Sequence, residues 1–347
     1  MRLLIITQKV DQNDQLLGFF IDWIKKFSEK FEKVTVLCLE KGEFSLPKNV
    51  KIVSLGKDHG VSKLRQLFTF YFLIFTLRGE YDAVFVHMNP IWMVLGGPVW
   101  GVLRKKRFLW YTHKSVTAKL RWAEKLSDVI LTASLESFRL KSKKVIVTGH
   151  GIDTDLFVAD ETKKIRDGKL KILSVGRLAP VKNYETLIDA CEKLKNSWNK
   201  PFEVTIIGEP ALDQDKDYYS NMKSKIASLG LKENFNFVGK INHKDLPAYY
   251  QDHDVFVHMS KTGSVDKTLL EAMACGMHIL SSNYSARAFL PPQFLFTEGD
   301  AEGLALRLNQ IAMGDISMKV DSSLIIYVKE HHNLNSLINK ISEIIKS

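Results

Sequence analysis

The sequence predicts an α/β protein built from two doubly wound domains. Short apolar runs alternate along the chain with stretches of helical periodicity, and this alternation is typical of parallel sheets covered by helices. A polar stretch at residues 160–168 interrupts the alternation once, and the pattern resumes at Leu170. A chain of 347 residues is also long enough for two domains of ordinary size.

Each strand is placed from its apolar run. The first half of the chain is expected to contain strands at residues 3–7, 34–39, 51–55, 83–86, 108–111, 129–132 and 145–148. The second half is expected to contain strands at residues 170–175, 204–207, 235–238, 255–258 and 278–281. Apolar residues at helical spacing predict a last helix. The predicted domains are therefore residues 1–160 and 170–330, with a linker at 161–169 and a C-terminal helix at 331–347.

The positive charge of the chain is concentrated in its first half. The formal net charge is +10, and residues 1–158 hold 25 Lys and Arg against 15 Asp and Glu. Such an excess attracts acidic partners, such as anionic lipid head groups, a diphosphate-linked acceptor or nucleic acid. Composition alone is equally consistent with a charge that serves solubility. The basic and aromatic motifs of nucleic-acid-binding folds are absent from the sequence, so nucleic acid is not an expected partner.

Cysteine usage indicates a reducing compartment. Cys38, Cys191 and Cys275 are widely spaced within apolar sequence, which predicts reduced core residues and neither a disulfide framework nor a metal site. The N-terminal apolar run has no signal-peptide cleavage site. These features predict a cytoplasmic protein.

The most informative segment spans residues 254–280. An apolar run leads into a Gly and Ser turn, a helix that begins near Lys267, and a second apolar run. This order places the turn at the carboxyl edge of a parallel sheet, where ligands bind, and the free amides of a helix start favour phosphate. Glu271 lies inside the helix among apolar neighbours. It is expected to be buried and to need a partner such as ribose hydroxyls, the alternative being an ordinary exposed helix residue.

This segment resembles the signature of the family-four, or group 1, retaining glycosyltransferases with the GT-B fold. Their usual pattern is a glutamate, then Gly-Phe-Gly, then four residues to Glu-Ala-Met-Ala-x-Gly. Glu271 matches the second glutamate, which the resemblance assigns to the ribose of a nucleotide sugar. Gly263 occupies the position of the first glutamate, so the sequence departs from the pattern beside the transferred sugar. The resemblance implies two Rossmann-like domains that face each other across a cleft, with a C-terminal helix that crosses back to the first.

A second motif follows the first strand of the second domain. Gly176 permits a tight turn, and Arg177 and Lys182 supply the positive charge that a nucleotide diphosphate leaving group requires. The run resembles the pyrophosphate clamp of the same family. The alternative is a capping loop with two surface cations. Gly208 ends the next strand where the family lines the nucleotide, and it is equally consistent with an ordinary turn.

The turn at residues 262–267 is where the sequence departs from the family. Gly263, Ser264 and Lys267 are expected to meet the phosphate or the sugar. Asp266 is predicted to cap the following helix, and it is also a candidate catalytic group beside the sugar. A further alternative is that catalysis has been lost.

Three residues that follow strands of the first domain are candidates for the acceptor side. His113 aligns with the family histidine that contacts the transferred sugar, and it is a candidate catalytic residue. His87 ends the neighbouring strand and is a candidate for the acceptor pocket, although a histidine at a strand end is more often structural. Asp11 would accept a hydrogen bond from an acceptor hydroxyl or cap a helix.

An apolar stretch at residues 67–77 bears on membrane binding. It is too short to span a bilayer, which takes about 20 residues. With basic residues at its ends and a basic cluster at residues 104–107, it would suit an anionic membrane surface at the inner face of the membrane. The favoured interpretation is a buried helix of the α/β layer.

The resemblance implies a hexosyltransferase that is retaining and independent of metals and cofactors. It would transfer a sugar from a nucleotide-diphosphate sugar to a glycan or lipid-linked acceptor in cell-envelope glycan synthesis. Asp252 and Asp254 match a metal-binding pattern of another glycosyltransferase fold but are expected to join a helix to a strand. The leading alternative is a catalytically silent protein that binds a nucleotide sugar or a partner. A dinucleotide oxidoreductase is disfavoured, because no Gly-x-Gly-x-x-Gly follows the first strand.

Overall fold

The computed structural model describes residues 1–14, 16–160, 168–197, 201–316 and 321–347. It divides into two compact units, Met1–Gly151 with His332–Ser347, and Ile152–His331. The division therefore falls nine residues before the end of the first domain expected from the sequence, because Ile152 and Phe157 pack in the core of the second unit. Most of the expected linker, residues 161–167, lies outside the described residues.

The strands within the described residues are β1 (Arg2–Val10), β2 (Lys33–Lys41), β3 (Val50–Ser54), β4 (Ala83–His87), β5 (Lys106–Trp110), β6 (Val129–Thr132), β7 (Val145–Val147), β8 (Leu170–Val175), β9 (Phe202–Ile207), β10 (Phe235–Gly239), β11 (Val255–His258) and β12 (His278–Ser281). Each matches a strand expected from an apolar run. The largest difference is β1, which continues beyond its apolar residues because its pairing with β2 extends as far as Val10 and Lys41.

The helices within the described residues are α1 (Phe20–Lys30), α2 (Lys63–Thr76), α3 (Pro90–Val102), α4 (Ala118–Leu126), α5 (Tyr184–Ser197), α6 (Asp213–Ser228), α7 (Leu246–Asp252), α8 (Lys267–Ala274), α9 (Ala301–Met313), α10 (Ser322–His331) and α11 (Leu334–Lys346). They lie between the strands, as the alternating pattern predicts. None of these described helices has the length and apolar character that crossing a bilayer requires.

The first unit is built on a parallel sheet with the strand order β3-β2-β1-β4-β5-β6-β7. Successive residues of a strand point to opposite faces, so Leu3 and Ile5 of β1 join a different core from Leu4 and Ile6. The first core is completed by α1 and α11, and the second by α2, α3 and α4. The sheet is therefore covered by helices on both sides.

The C-terminal helix belongs to the first unit, as the resemblance implies. Leu337 and Ile341 of α11 are buried in the same core as Trp23 and Phe27 of α1. The chain also passes close to this helix at Gly151, which has a φ of +71°. A Cβ atom at that position would lie 2.5 Å from the Leu337 side chain, so a glycine is needed for the close approach.

Only one side of α2 is buried, which corrects the expectation of a helix buried within the α/β layer. Gln66, Phe70 and Ile74 face the core. The opposite side carries large apolar side chains that are exposed to solvent. A helix that is apolar all round is normally covered on all sides, so this exposed side requires an explanation.

The second unit is built on a parallel sheet with the strand order β10-β9-β8-β11-β12. The chain leaves β8 toward one side of the sheet, where α5, α6 and α9 pack, and leaves β11 toward the other, where α7, α8 and α10 pack. The strand order thus reverses between β8 and β11, which are direct neighbours. A doubly wound sheet opens a ligand crevice at the carboxyl ends of such strands.

Buried His278 makes the stability of the protein depend on pH. It begins β12 beside the Phe294 ring, and burial lowers its pKa from 6.5 to about 4, against an opposing effect of the Asp321 charge. Between these values the unfolded chain takes up a proton that the folded chain does not. Lowering the pH from 7.5 to 4.5 should therefore reduce the free energy of unfolding by about 2 kcal/mol through this residue alone.

We expect His278→Leu to lose less stability than the wild type between pH 7.5 and 4.5 in urea unfolding experiments. His59→Leu is a matched control, because the His59 side chain is largely exposed. Equal pH dependence in wild type and His278→Leu would contradict a neutral, buried His278.

Candidate active site

The carboxyl ends of β8 and β11 bring two loops together in the second unit. The first loop, residues 176–182, contains Gly176, Arg177 and Lys182, and the second comprises residues 259–266. A backbone hydrogen bond of 2.8 Å from Lys261 to Val181 joins them. Both motifs found in the sequence therefore lie at the one crevice that the strand order of this sheet creates.

Asp266 connects the second loop to the first. It occupies the N-cap position of α8, as predicted, but its side chain makes no capping hydrogen bond. One carboxylate oxygen, Oδ2, accepts hydrogen bonds from the Lys182 ammonium and, at 3.0 Å, from His258 Nε2. The other oxygen accepts from the Thr262 hydroxyl at 3.2 Å. The predicted capping hydrogen bond of Asp266 was thus wrong, although its position at the N-cap was right.

The surroundings of Asp266 keep it ionised. Burial of the carboxyl would raise its pKa, but the Lys182 charge and the His258 hydrogen bond outweigh burial and hold the pKa well below its usual value. Lys182 and Asp266 side chains are only 17 % and 15 % exposed. A charge pair this sheltered interacts more strongly than one at the surface.

The second loop is held rigidly by buried Asn283. Its side-chain amide donates to the carbonyl oxygens of Ser260 and Ser264, at 2.9 and 3.2 Å. The Thr262 hydroxyl donates to the same Ser264 carbonyl, at 3.1 Å. Between these residues Gly263 has a φ of +65°, a conformation that a glycine adopts without strain. The loop is therefore fixed before any ligand arrives.

Glu271 is buried, as predicted, and the alternative of an exposed helix residue is wrong. It is 3 % exposed, and each carboxylate oxygen has a protein partner. Oε1 lies 2.9 Å from His243 Nε2, and Oε2 accepts a hydrogen bond of 3.1 Å from the Tyr250 hydroxyl. Burial and the adjacent Glu271 charge raise the pKa of Tyr250 well above its usual value, so the hydroxyl remains a donor.

Arg177 combines a buried counter-ion with a partly exposed guanidinium. Its Nε lies 3.7 Å from Oδ2 of Asp215, which is almost fully buried, while the Arg177 side chain is 32 % exposed. The following residue, Leu178, donates a backbone hydrogen bond of 3.1 Å to the Glu209 carbonyl, next to Gly208. Gly208 itself donates to the Gly239 carbonyl at 2.8 Å. The turns after β8, β9 and β10 are thereby joined at one edge of the sheet.

Ser264 and Lys267 contribute differently from each other. Ser264 acts through its carbonyl, which fixes the loop. Lys267 begins α8, and its ammonium nitrogen is buried. The predicted role of Lys267 in binding an anion would therefore require the side chain to move.

The candidate residues of the first unit follow three neighbouring strands. Asp11, His87 and His113 lie at the carboxyl ends of β1, β4 and β5, which are adjacent in the sheet. His113 is exposed, and its Nδ1 accepts a hydrogen bond of 3.1 Å from the Ser115 backbone. Its Nε2 therefore carries the proton in the neutral ring. Asp11 caps no helix, but accepts from the Asn13 backbone at 3.0 Å and pairs with Lys9 at 3.3 Å.

His87 packs in the core, which corrects its predicted role in the acceptor pocket. Only 1 % of the residue is exposed. Its ring stacks on Phe20 with centroids 3.9 Å apart, and its Nδ1 lies 3.1 Å from the Thr7 hydroxyl. The alternative given by the sequence, a structural histidine at a strand end, is therefore correct for His87.

Sequence reasoning did not identify His243, Tyr250 and His258 as parts of the site. His258 ends β11, and a histidine at the end of a strand is the pattern that singled out His113. The same pattern would therefore have identified His258. It is buried, with Nδ1 3.2 Å from the Ser281 hydroxyl and Nε2 on Asp266. His243 and Tyr250 carry no local signal, because only the folding of α7 against α8 brings them to Glu271.

The Asp252 and Asp254 pair lies at the opposite edge of the sheet. Asp252 pairs with the Lys171 ammonium at 2.9 Å, and Asp254 accepts from the Lys171 backbone at 2.8 Å. Lys171 stands at the start of β8, so these carboxylates stabilise the amino end of the strands. Within the described residues, no group of three or more His, Cys, Asp or Glu side chains is arranged to hold a metal ion.

A double-mutant cycle tests the Lys182–Asp266 contact. We expect Asp266→Asn to lower the free energy of unfolding by about 2 kcal/mol, because Lys182 loses its counter-ion in a sheltered site. The double variant Asp266→Asn/Lys182→Met should lose less free energy of unfolding than the two single variants lose in sum. We expect this difference to be about 1 kcal/mol or more in urea unfolding. The exposed pair Asp213 and Lys216 is the control and should show no measurable coupling. Additive losses at Asp266 and Lys182 would refute the contact.

Comparison with known proteins shows which family the second half of the chain resembles. Residues 158–319 match the sequence profile described as glycosyl transferases group 1. The chain is similar to mannosylfructose-phosphate synthase of Agrobacterium fabrum, with 32 % identity over 159 residues, 43 % of this chain and 35 % of that protein. It is also similar to the lipopolysaccharide core biosynthesis mannosyltransferase LpsB of Rhizobium meliloti, with 26 % identity over 196 residues, 53 % of this chain and 54 % of that protein.

The chain thus spans about a third to a half of the length of these curated relatives. Among solved structures, Anabaena HepE in complex with UDP has the same fold, with a TM-score of 0.80 over the full length of both chains and 18 % identity. The sequence profile confirms the predicted resemblance to the group 1 glycosyltransferases over residues 158–319, and the shared fold confirms the predicted GT-B architecture.

Proposed function

We propose that this protein transfers a sugar, with retention and without a metal or cofactor, from a nucleotide-diphosphate sugar to a glycan or lipid-linked acceptor. The observation that supports the proposal is the position of three residues at the carboxyl ends of β8 and β11: Arg177 and Lys182 lie in the loop after β8, and Glu271 lies on the helix that follows the loop after β11. All three lie within the segment that matches the family. Two are cations at a strand end and one is a buried carboxylate on the adjoining helix.

The diphosphate of the donor is assigned to Arg177, Lys182 and the start of α8. The Arg177 side chain is 32 % exposed, and a guanidinium can donate to two phosphate oxygens at once. Lys182 has three donor hydrogens and can keep its bond to Asp266 while it binds an anion. The first amides of α8 add donors with a favourable dipole. These groups would offset the charge that builds up on the diphosphate as the glycosidic bond breaks.

The ribose is assigned to Glu271. Its two oxygens already accept from His243 and Tyr250, but each ionised carboxylate oxygen has a second lone pair for a hydroxyl donor. The protein contacts fix the direction of the carboxylate before the nucleotide arrives. Uridine is the first base to test, because a solved structure of the same fold holds UDP.

Asp266 is assigned to the sugar in place of the family glutamate that is missing at position 263. Gly263 has no side chain to offer, whereas the Asp266 carboxylate enters the same crevice and is held ionised by Lys182 and His258. An anion placed there would stabilise positive charge that develops on the transferred sugar. The leaving phosphate would accept the proton of the acceptor hydroxyl, as the resemblance implies. The acceptor contact predicted for His113 remains a prediction.

An envelope glycan is the favoured acceptor class. The similarity to a lipopolysaccharide core mannosyltransferase supports it. A catalytically silent binder of the same fold is the second candidate, and the absence of a carboxylate at Gly263 favours it.

Donor binding is tested by calorimetry with UDP, UDP-glucose, UDP-N-acetylglucosamine and GDP-mannose. We expect one nucleotide sugar to bind, and Glu271→Gln and Arg177→Met each to weaken it by about tenfold or more, because each removes a charge-assisted hydrogen bond. Lys232→Met is the matched control. Lys232 is exposed just before β10, at the edge of the sheet away from the crevice. Unchanged binding in both site variants would refute the assignment.

Turnover of the bound donor separates the two candidate functions. We expect slow hydrolysis of the donor, or transfer to a glycan acceptor, that persists in EDTA and yields a product with the anomeric configuration of the donor. Asp266→Asn should lower kcat by about a hundredfold or more while donor affinity changes less, since the carboxylate acts mainly on the reacting sugar. Product configuration is read by NMR. Tight binding of the donor, without its hydrolysis or its transfer to any acceptor tested, would instead establish a catalytically silent binder.

A further inference from the structure

The solvent side of α2 is a continuous stripe of large apolar side chains. It consists of Leu64, Phe68, Tyr71, Phe72 and Phe75. These residues recur at helical spacing and are between 36 % and 67 % exposed. The side that faces the core is filled by other residues, among them Phe70 and Ile74, so the stripe is not needed to hold the helix in place. Contiguous exposed apolar surface of this kind marks an interaction site.

The surroundings of the stripe are strongly basic. Residues 63–125, which include α2, α3 and α4, contain 11 Lys and Arg against three Asp and Glu. This segment therefore carries most of the net charge of the protein. The three helices cover the same side of the sheet. A partner that binds on this side of the sheet must therefore tolerate or prefer positive charge.

Two exposed aromatic rings in this region carry a cation directly. The Arg78 guanidinium lies over the ring of Phe75, 4.5 Å from its centre, at the end of the stripe. The Lys125 ammonium lies 4.9 Å from the ring centre of Trp122, which is 58 % exposed on α4. An aromatic ring beside a long basic side chain is the combination that anchors proteins at the boundary between lipid head groups and acyl chains.

The positive charge around the stripe distinguishes its two simplest binding partners, a second copy of the chain and an anionic bilayer. A second copy of the chain would bring an equally basic surface against this one, and like charges oppose that contact. An anionic bilayer offers negative charge to the basic residues and an apolar interior to the stripe. The length of α2 supports a helix lying along the surface, because 14 residues rise about 21 Å, too little to cross a hydrocarbon core of about 30 Å.

We propose that the α2 stripe and its flanking basic residues form a docking surface for an anionic membrane. The helix lies parallel to the bilayer with Phe68, Phe72 and Phe75 in the boundary between head groups and acyl chains. Lys63, Arg65 and Arg78 meet the phosphates. The inference is independent of the proposed catalytic function, since it uses residues of the first unit only.

The test is co-sedimentation of the full chain with vesicles of phosphatidylcholine alone or with about one third phosphatidylglycerol, an anionic surface of the kind that binds basic segments. We expect binding to the anionic vesicles only, weakened by salt. Phe68→Ser/Phe72→Ser/Phe75→Ser should lower the partition coefficient by about tenfold or more, because three apolar rings no longer enter the bilayer. Arg65→Glu/Arg78→Glu should lower the partition coefficient by a similar factor at low salt. This variant should also remove the salt dependence of vesicle binding.

Leu306→Ser/Ile326→Ser is the matched control, since both side chains are similarly exposed but lie in the second unit. It should bind vesicles like the wild type. Circular dichroism and urea unfolding show whether the α2 variants remain folded. Absence of vesicle binding by the wild type would overturn the proposal. So would a concentration-dependent dimer, seen by analytical ultracentrifugation and lost in the Phe68→Ser/Phe72→Ser/Phe75→Ser variant, because the stripe would then be a protein interface.

Discussion

The contact between Lys182 and Asp266 organises the second unit. Lys182 stands in the loop after β8, and Asp266 at the start of α8, after β11. The contact therefore closes the two loops at the point where the strand order of the sheet reverses. Because both side chains are sheltered from water, the loss of either one would leave the other charge without compensation, at a cost of about 2 kcal/mol. His258, Thr262 and Asn283 then fix the loop in the position that this contact sets.

Glu271, further along α8, is a second sheltered carboxylate that is compensated by protein groups. Its buried carboxylate accepts hydrogen bonds from His243 and Tyr250, so neither anion of the helix depends on a ligand for its stability. A donor nucleotide would add to these contacts without having to create them. The site is thus preorganised, and binding energy need not be spent on ordering its side chains.

The first unit combines two kinds of surface on one scaffold. Asp11 and His113 follow β1 and β5, on either side of β4, and are at least partly accessible, whereas α2 presents apolar side chains and basic residues on the side of its sheet that α3 and α4 share. The positive charge evident in the sequence is therefore spatially concentrated. An acceptor held in a membrane and a protein docked on that membrane would share one surface, which confines their search for each other to two dimensions.

The sequence by itself determined the elements of both sheets and the burial of Glu271. Short apolar runs bounded by polar turns are typical of buried strands in an α/β protein, and the apolar neighbours Leu269, Leu270, Ala272 and Met273 favour burial of the carboxylate between them. The partners of the buried charges depended on tertiary structure. Lys182 and Asp266 are 84 positions apart, and His243 and Glu271 are 28 apart, so no local pattern connects them.

Tertiary structure also decided which side of α2 is exposed. The helix is apolar around most of its circumference, so periodicity cannot distinguish a helix covered on all sides from one covered on a single side. Packing against β1, β4 and α3 uses Phe70 and Ile74 and leaves the opposite side to solvent. For the same reason His87 and His113, alike in sequence context, differ in accessibility: one faces the core between sheet and helix, and the other stands in a loop beyond it.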